Sequence, residues 1–244
     1  MFRYKDNSLQ WNGVDMPQML TDCVRRLQTD FQYRGPFWLY QENILSTRLS
    51  LLEQGLPGCS FYYSVKSQSN LSILSRIAAH SRFGADVVSG GELYRALKAG
   101  FKPEKIVFAG VGKTEVEITA ALDFGIRSLH VESVSELRDI HRIAELKGLI
   151  ARVTLRLNPD VEVDTHRHIT TGKEENKFGL SEKDFKEALA IIANSEFLNL
   201  VGLQAHIGSQ IFDVAPYIKT AQFLYEKMTV VQMALKTSLE YISL

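Results

Sequence analysis

Cysteine is scarce in this 244-residue chain: Cys23 and Cys59 are the two present. Two thiols cannot frame a disulfide scaffold, and such usage fits a reducing compartment. Neither sign of charge is in excess, because 28 Lys and Arg meet 28 Asp and Glu. That balance argues against nucleic acid or an anionic membrane surface as a partner. No apolar run is long enough to cross a bilayer, and Met1-Phe2-Arg3-Tyr4-Lys5-Asp6 carries no apolar signal core. The expectation is a cytoplasmic protein whose ligand is a small molecule.

What the chain does contain is an alternation. Short β-rich runs occur at 37–40, 60–65, 83–88, 106–109, 128–131, 153–157, 201–206 and 239–244. Several are continuously apolar, as expected of strands covered on both faces of a parallel sheet. Helical spacing separates them: Leu45, Leu49 and Leu52; Leu71, Leu74 and Ile77; Leu93, Leu97 and Phe101; then 115–124, 136–146 and 183–192. Gly55, Gly100, Gly125 and Gly148 fall where helices should stop, and Ser89 and Ser135 where they should start. A β-α order repeated without a break predicts an α/β fold, a (β/α) barrel in preference to an open doubly wound sheet.

Residues 1–35 stand outside this repeat. They hold two short extended pieces, a turn at Asn12-Gly13 and a helical stretch over 19–27. The expected division is therefore an N-terminal segment, 1–35, and a barrel portion, 36–244. A long irregular stretch, 158–180, is dense in His, Thr, Gly and charge, the composition of a functional loop.

In such barrels, active-site residues sit where strands end. Lys66, Asp86, Arg156 and His206 lie at or near those ends. Lys66 closes the apolar run Phe61-Tyr62-Tyr63-Ser64-Val65. A lysine partly desolvated there can serve as an amine nucleophile toward an aldehyde, although buried ion pairs could occupy the same positions. Gly110-Val111-Gly112-Lys113-Thr114 echoes a nucleotide-binding loop, but the first glycine of that motif would fall at 107, which is Val. Asp123-Phe124-Gly125 lacks the other kinase signatures. His166, His168 and His206 have no Cys or carboxylate at a supporting spacing, so no metal site is expected. The Gly208-Ser209 pair after His206 suits backbone approach to an anion such as phosphate.

An ordered series of segments resembles the alanine-racemase-like, fold-type III pyridoxal-phosphate decarboxylases, the diaminopimelate decarboxylases in particular. Tyr63-Ser64-Val65-Lys66-Ser67-Gln68 is similar to that family's cofactor-lysine motif. It is followed by Gly84-Ala85-Asp86-Val87-Val88-Ser89-Gly90-Gly91-Glu92-Leu93, by Lys105-Ile106-Val107-Phe108 with Gly112-Lys113-Thr114, then by Val131-Glu132-Ser133 and Leu155-Arg156-Leu157-Asn158-Pro159. The segment from Thr165 to Gly172, with Lys177-Phe178-Gly179, marks the diaminopimelate branch, and His206-Ile207-Gly208-Ser209-Gln210 completes the set.

The resemblance implies a barrel binding pyridoxal 5′-phosphate (PLP), with Lys66 as its Schiff-base lysine. It implies that His206 stacks on the cofactor ring, that Ser209 lies near its phosphate, and that Asp86 and Arg156 line the pocket. The implied reaction takes meso-diaminopimelate to L-lysine in lysine biosynthesis, by a protein that is a homodimer in its full-length form. Gln68, Ser67 and Gln204-Ala205 depart mildly from the family pattern. A larger departure is that the family continues past 239–244 into a Gly-Gly-Gly phosphate loop, a Glu-Pro-Gly-Arg segment and a β-domain. The expectation is thus an incomplete barrel of seven strands counted from Ser60, inactive by itself, with 37–40 as a lead-in strand. Alternatives are a decarboxylase of ornithine, arginine or carboxynorspermidine on the same fold, or a non-catalytic PLP-binding relative.

Overall fold

The computed structural model describes residues 2–159, 178–209 and 211–244. They form two compact units, Met1–Arg48 and Leu49–Leu244. The first unit opens with an antiparallel sheet of β1 (Phe2–Lys5), β2 (Ser8–Trp11) and β3 (Val14–Asp15), in that order. Its two turns are tight because their central residues accept positive φ: Asp6 and Asn7 at 48° and 61°, Asn12 and Gly13 at 48° and 84°. The rings of Phe2 and Trp11, paired across β1 and β2, stack at 5.5 Å. Helix α1 (Met16–Asp30) follows directly, its free N–H at Gln18 taken by the Asp15 side chain. Helix α2 (Glu42–Gly55) straddles the division at Arg48.

Residues 37–40 are not a strand. The aromatic Phe37, Trp38 and Tyr40 suggested one, but they are exposed, and β preference expresses burial against neighbouring strands rather than the residue type alone.

The second unit is built on seven parallel strands: β4 (Phe61–Ser64), β5 (Phe83–Val87), β6 (Ile106–Phe108), β7 (Ser128–Val131), β8 (Ala151–Arg156), β9 (Leu198–Gln204) and β10 (Tyr241–Ser243). They lie side by side in chain order, curled into an incomplete barrel. Crossovers are made by α3 (Leu71–Ala78), α4 (Gly90–Lys98), α5 (Glu115–Phe124), α6 (Val134–Lys147), α7 (Glu182–Ala193) and α8 (Ala215–Leu235). Each of α3 to α7 starts on a side-chain cap: Asn70, Ser89, Thr114, Ser133 and Ser181. Gly125 and Gly148 end α5 and α6 in the left-handed conformation that glycine adopts without strain.

The two faces of the sheet differ in chemistry. Residues toward the helices are apolar and fully covered: Ala85, Val87, Phe108, Leu129, Val131, Val153, Leu155 and Leu203. They meet Leu74, Ile77, Leu93, Ile118, Leu137, Ile140 and Phe185 from the helices, which is where the core lies. The inner face alternates with them and is polar. It carries Tyr62 and Ser64 on β4, Asp86 on β5, Ser128 and His130 on β7, Thr154 and Arg156 on β8, Gln204 on β9, and Tyr241 and Ser243 on β10. The register of β8 on β9 jumps from Val153↔Leu200 to Thr154↔Gly202, so Val201 is an extra residue in a β-bulge.

Candidate active site

The inner face is filled in layers. Lowest are Ser128, Thr154 and Tyr241, whose hydroxyls bond to one another: Ser128 Oγ lies 2.6 Å from Thr154 Oγ1 and 3.0 Å from Tyr241 OH, and Thr154 Oγ1 also meets Tyr241 OH. Tyr241 OH reaches up to His130 Nε2 at 3.5 Å. Burial, with the Lys113 and Arg156 cations nearby, pushes the His130 imidazole down to about 3, so it stays neutral.

The next layer is polar as well. Ser64 pairs in register with Asp86, and Arg156 with Gln204, which in turn pairs with Ser243. Ser64 Oγ, Asp86 Oδ1 and Gln204 Oε1 are buried yet have no hydrogen-bond partner among the described residues. Three orphaned polar atoms at one level are an unmet demand for polar contacts. Burial pushes the Asp86 carboxyl up to about 6, against the pull of the Lys66 and Arg156 cations and the neighbouring Ser64 hydroxyl.

The mouth is formed where the strands end. Lys66 stands exposed in the 3₁₀ turn Val65–Ser67 that follows β4. His206 comes two residues after β9, and partial burial together with Arg156 and Lys66 holds its pKa below the usual value while Glu132 opposes them. Ser209 is exposed in the same loop, after Gly208 at φ 121°. Charge coupling links Lys66 to Asp86 and His206, and Arg156 to the same two groups. Those four expected residues therefore share one end of the sheet.

Residues that the sequence reading did not assign to the site also belong there. Glu132, just past β7, receives Arg156 Nη1 at 2.8 Å on each of its two oxygens. Phe178 lays its ring 5.5 Å from the Arg156 guanidinium. Glu132 follows His130 by two positions at a strand end, and that alternation was the available signal. The segments 165–172 and 177, with His166 and His168, lie outside the described residues. Among the described residues, no three His, Cys, Asp or Glu side chains gather as metal ligands.

Lys113 plays no phosphate-binding part. Its ammonium is sealed from solvent and donates to Gly110 O at 2.7 Å, His130 O at 2.7 Å and Glu136 Oε1 at 2.6 Å. All three of its protons are used. Thr114 is simply the N-cap of α5, bonded reciprocally with Glu117.

Residues 43–244 match the family described as "Pyridoxal-dependent decarboxylase, pyridoxal binding domain". The chain belongs to this family. Among curated members it is 44% identical over 192 residues to the diaminopimelate decarboxylase of Helicobacter pylori, covering 78% of this chain and 47% of that protein. It is 38% identical over 232 residues to that of Aquifex aeolicus, covering 93% and 52%. The crystal structure of the Helicobacter pylori enzyme complexed with L-lysine superposes with a TM-score of 0.79 at 40% identity, over 90% of this chain and 55% of that one. The chain spans about half the length of the curated relatives it matches. The pyridoxal-dependent decarboxylases use PLP, and the donor set fits that cofactor: an exposed lysine amine at the mouth beside buried, unpartnered oxygens able to receive polar groups.

Proposed function

We propose that this chain supplies the cofactor-binding part of a protein that decarboxylates meso-2,6-diaminopimelate to L-lysine. The observation that carries the reading is the convergence of Lys66, Asp86, Arg156 and His206 at one end of a parallel barrel sheet. The relatives named diaminopimelate decarboxylase, including one complexed with L-lysine, supply the substrate class.

In this reading Lys66 holds PLP through its amine, and Ser209 and the backbone around Gly208 face the phosphate. PLP supplies an electron sink for the bond electrons left when the carboxylate departs. The chain's own groups do the rest. Asp86, near 6, can take or return a proton at Oδ1 close to the lysine amine. His206, its pKa held below the usual value by partial burial and the Arg156 and Lys66 cations, offers its ring face. The apolar helix-side layer excludes water from behind the sheet. Residues 36–244 would act as the barrel part and 1–35 as a segment serving another domain. The protein would be cytoplasmic and homodimeric when whole; among the described residues no helix is long and apolar enough to cross a membrane.

The test is chemical. The chain is incubated with PLP, reduced with borohydride and mapped by peptide mass. The pyridoxyl group is expected on Lys66; its attachment scattered over surface lysines, or its absence, would sink the cofactor assignment. CO2 release by the whole protein, compared among meso-diaminopimelate, ornithine, arginine and carboxynorspermidine, decides the substrate.

A further inference from the structure

We infer that Glu132 is the positioning residue for Arg156, fixing its guanidinium at the mouth of the barrel and so setting the charge that Asp86 and His206 meet. The inference deepens the proposed function and rests on it for its meaning. The Glu132 side chain is 2% exposed and that of Arg156 14%. Both carboxylate oxygens sit 2.8 Å from the same guanidinium nitrogen, Nη1.

Glu132 is itself held on its other sides. Its Oε1 accepts the Gly110 N–H at 2.9 Å, in the loop after β6. Its own N–H donates to Glu136 Oε2 at 2.7 Å, while Glu136 Oε1 takes the sealed Lys113 ammonium. Gly110 returns its carbonyl to that ammonium. The acid is therefore anchored by two strand-end loops and a helix before it meets arginine. Phe178 covers a face of the guanidinium. An arginine so engaged is a fixed internal charge. Its cation acts on Asp86 and on His206, and the Glu132 anion acts on His206 in the opposite sense.

Glu132→Gln separates positioning from scaffolding. The amide keeps an Oε1 acceptor for Gly110 N–H but removes the charge and turns an N–H2 toward Arg156. The readout is the titration of His206 by NMR in the chain without PLP, its signal identified by loss in His206→Gln. The groups facing His206 are Arg156 from β8, Lys66 from the turn after β4 and Glu132 from the end of β7.

E132Q is expected to lower the His206 midpoint, because the Glu132 anion is what opposes the Arg156 and Lys66 cations there. In an R156Q background the same substitution should give a clearly different shift, because part of its effect is a displaced guanidinium. Equal shifts in both backgrounds, or no shift in either, overturn the inference, since fixed charges simply add. If E132Q fails to fold, E132Q/R156Q must recover cooperative urea unfolding, because removing both partners leaves no buried charge unpaired; a double variant as unstable as the single one overturns it too. None of these measurements uses PLP, so failure here is distinct from failure of the cofactor assignment.

Discussion

The ring of Tyr241 on β10 occupies the space that a side chain at Gly202 on β9 would need. A Cβ there would lie 2.9 Å from the ring atoms Cε2 and Cζ and 3.0 Å from the Tyr241 carbonyl oxygen. Gly202 is thus the floor on which the lowest polar layer rests. Gly202→Ala is expected to cost about 1–3 kcal/mol in urea unfolding. Gly84→Ala should cost more, because the Cβ would meet the backbone carbonyl of Lys105 as well as the Tyr62 ring. Backbone yields less easily than a ring. A G202A variant as stable as the parent would show that the Tyr241 ring can move freely.

Asp86 links stability to pH in one direction. Its folded pKa, about 6, stands above the ordinary 3.8, so the native state binds the extra proton between those values. Its contribution is therefore full below about 4 and is lost as pH rises through 6. At pH 7 the buried carboxylate opposes folding. Asp86→Asn should stabilise the chain there by on the order of 2 kcal/mol and flatten the pH 4–6 region. Chemical denaturation across that range checks it, and a less stable Asn variant at pH 7 would contradict it.

His130 links them in the other direction, and more strongly. Its folded pKa, about 3, lies below the ordinary 6.5, so below 6.5 the unfolded chain binds the extra proton. The contribution is full above 6.5 and is lost as pH falls toward 3. This window is wider than that of Asp86, so acid should destabilise the native chain on balance. His130→Gln, unable to titrate, should blunt the acid loss measured by urea midpoints between pH 4 and 7. An unchanged acid slope would show that other groups dominate.

Lys113 is expected to be indispensable for folding and dispensable for phosphate. Lys113→Ala leaves Glu136 buried without its cation and removes the tie among the Gly110 loop, β7 and α6. A loss of about 3–5 kcal/mol is expected. Calorimetry of the parent chain with ATP should show no heat of binding at this loop; saturable binding abolished by the substitution would reverse the assignment.

Much of this was legible before any coordinates. Helix α5 falls on 115–124, the expected span, because Thr114 and Gly125 are strong local signals. Eight β-rich runs were legible as such, while counting seven barrel strands from Ser60 rested on the family resemblance; the rule that barrel sites lie at strand ends placed Lys66, Asp86, Arg156 and His206 at or near such ends. Helix α8, 21 residues long, was not foreseen, since its apolar residues do not keep to one stripe and its start at Val214 has no side-chain cap. The turn at Asp6-Asn7 was missed because neither residue is glycine, although both take positive φ. Glu132 was quoted in a motif but not assigned: an acid at a strand end shows its arginine only after β7 and β8 are paired.

The bulge at Val201 has a consequence for inheritance. In a strand, parity decides which face a residue serves, and β9 changes parity at this one extra position. Leu200 below it belongs with Val153 on the helix side, whereas Gly202 and Gln204 above it belong with Thr154 and Arg156. Loss of the single codon for Val201 would restore unbroken alternation. Every face would be kept: Leu203 would stay on the oily side with Leu155, and Gln204 would still pair with Arg156. The upper half of β9 is thus read in a shifted frame, and Val201 is the position where a codon can be lost without exchanging the two faces of the strand.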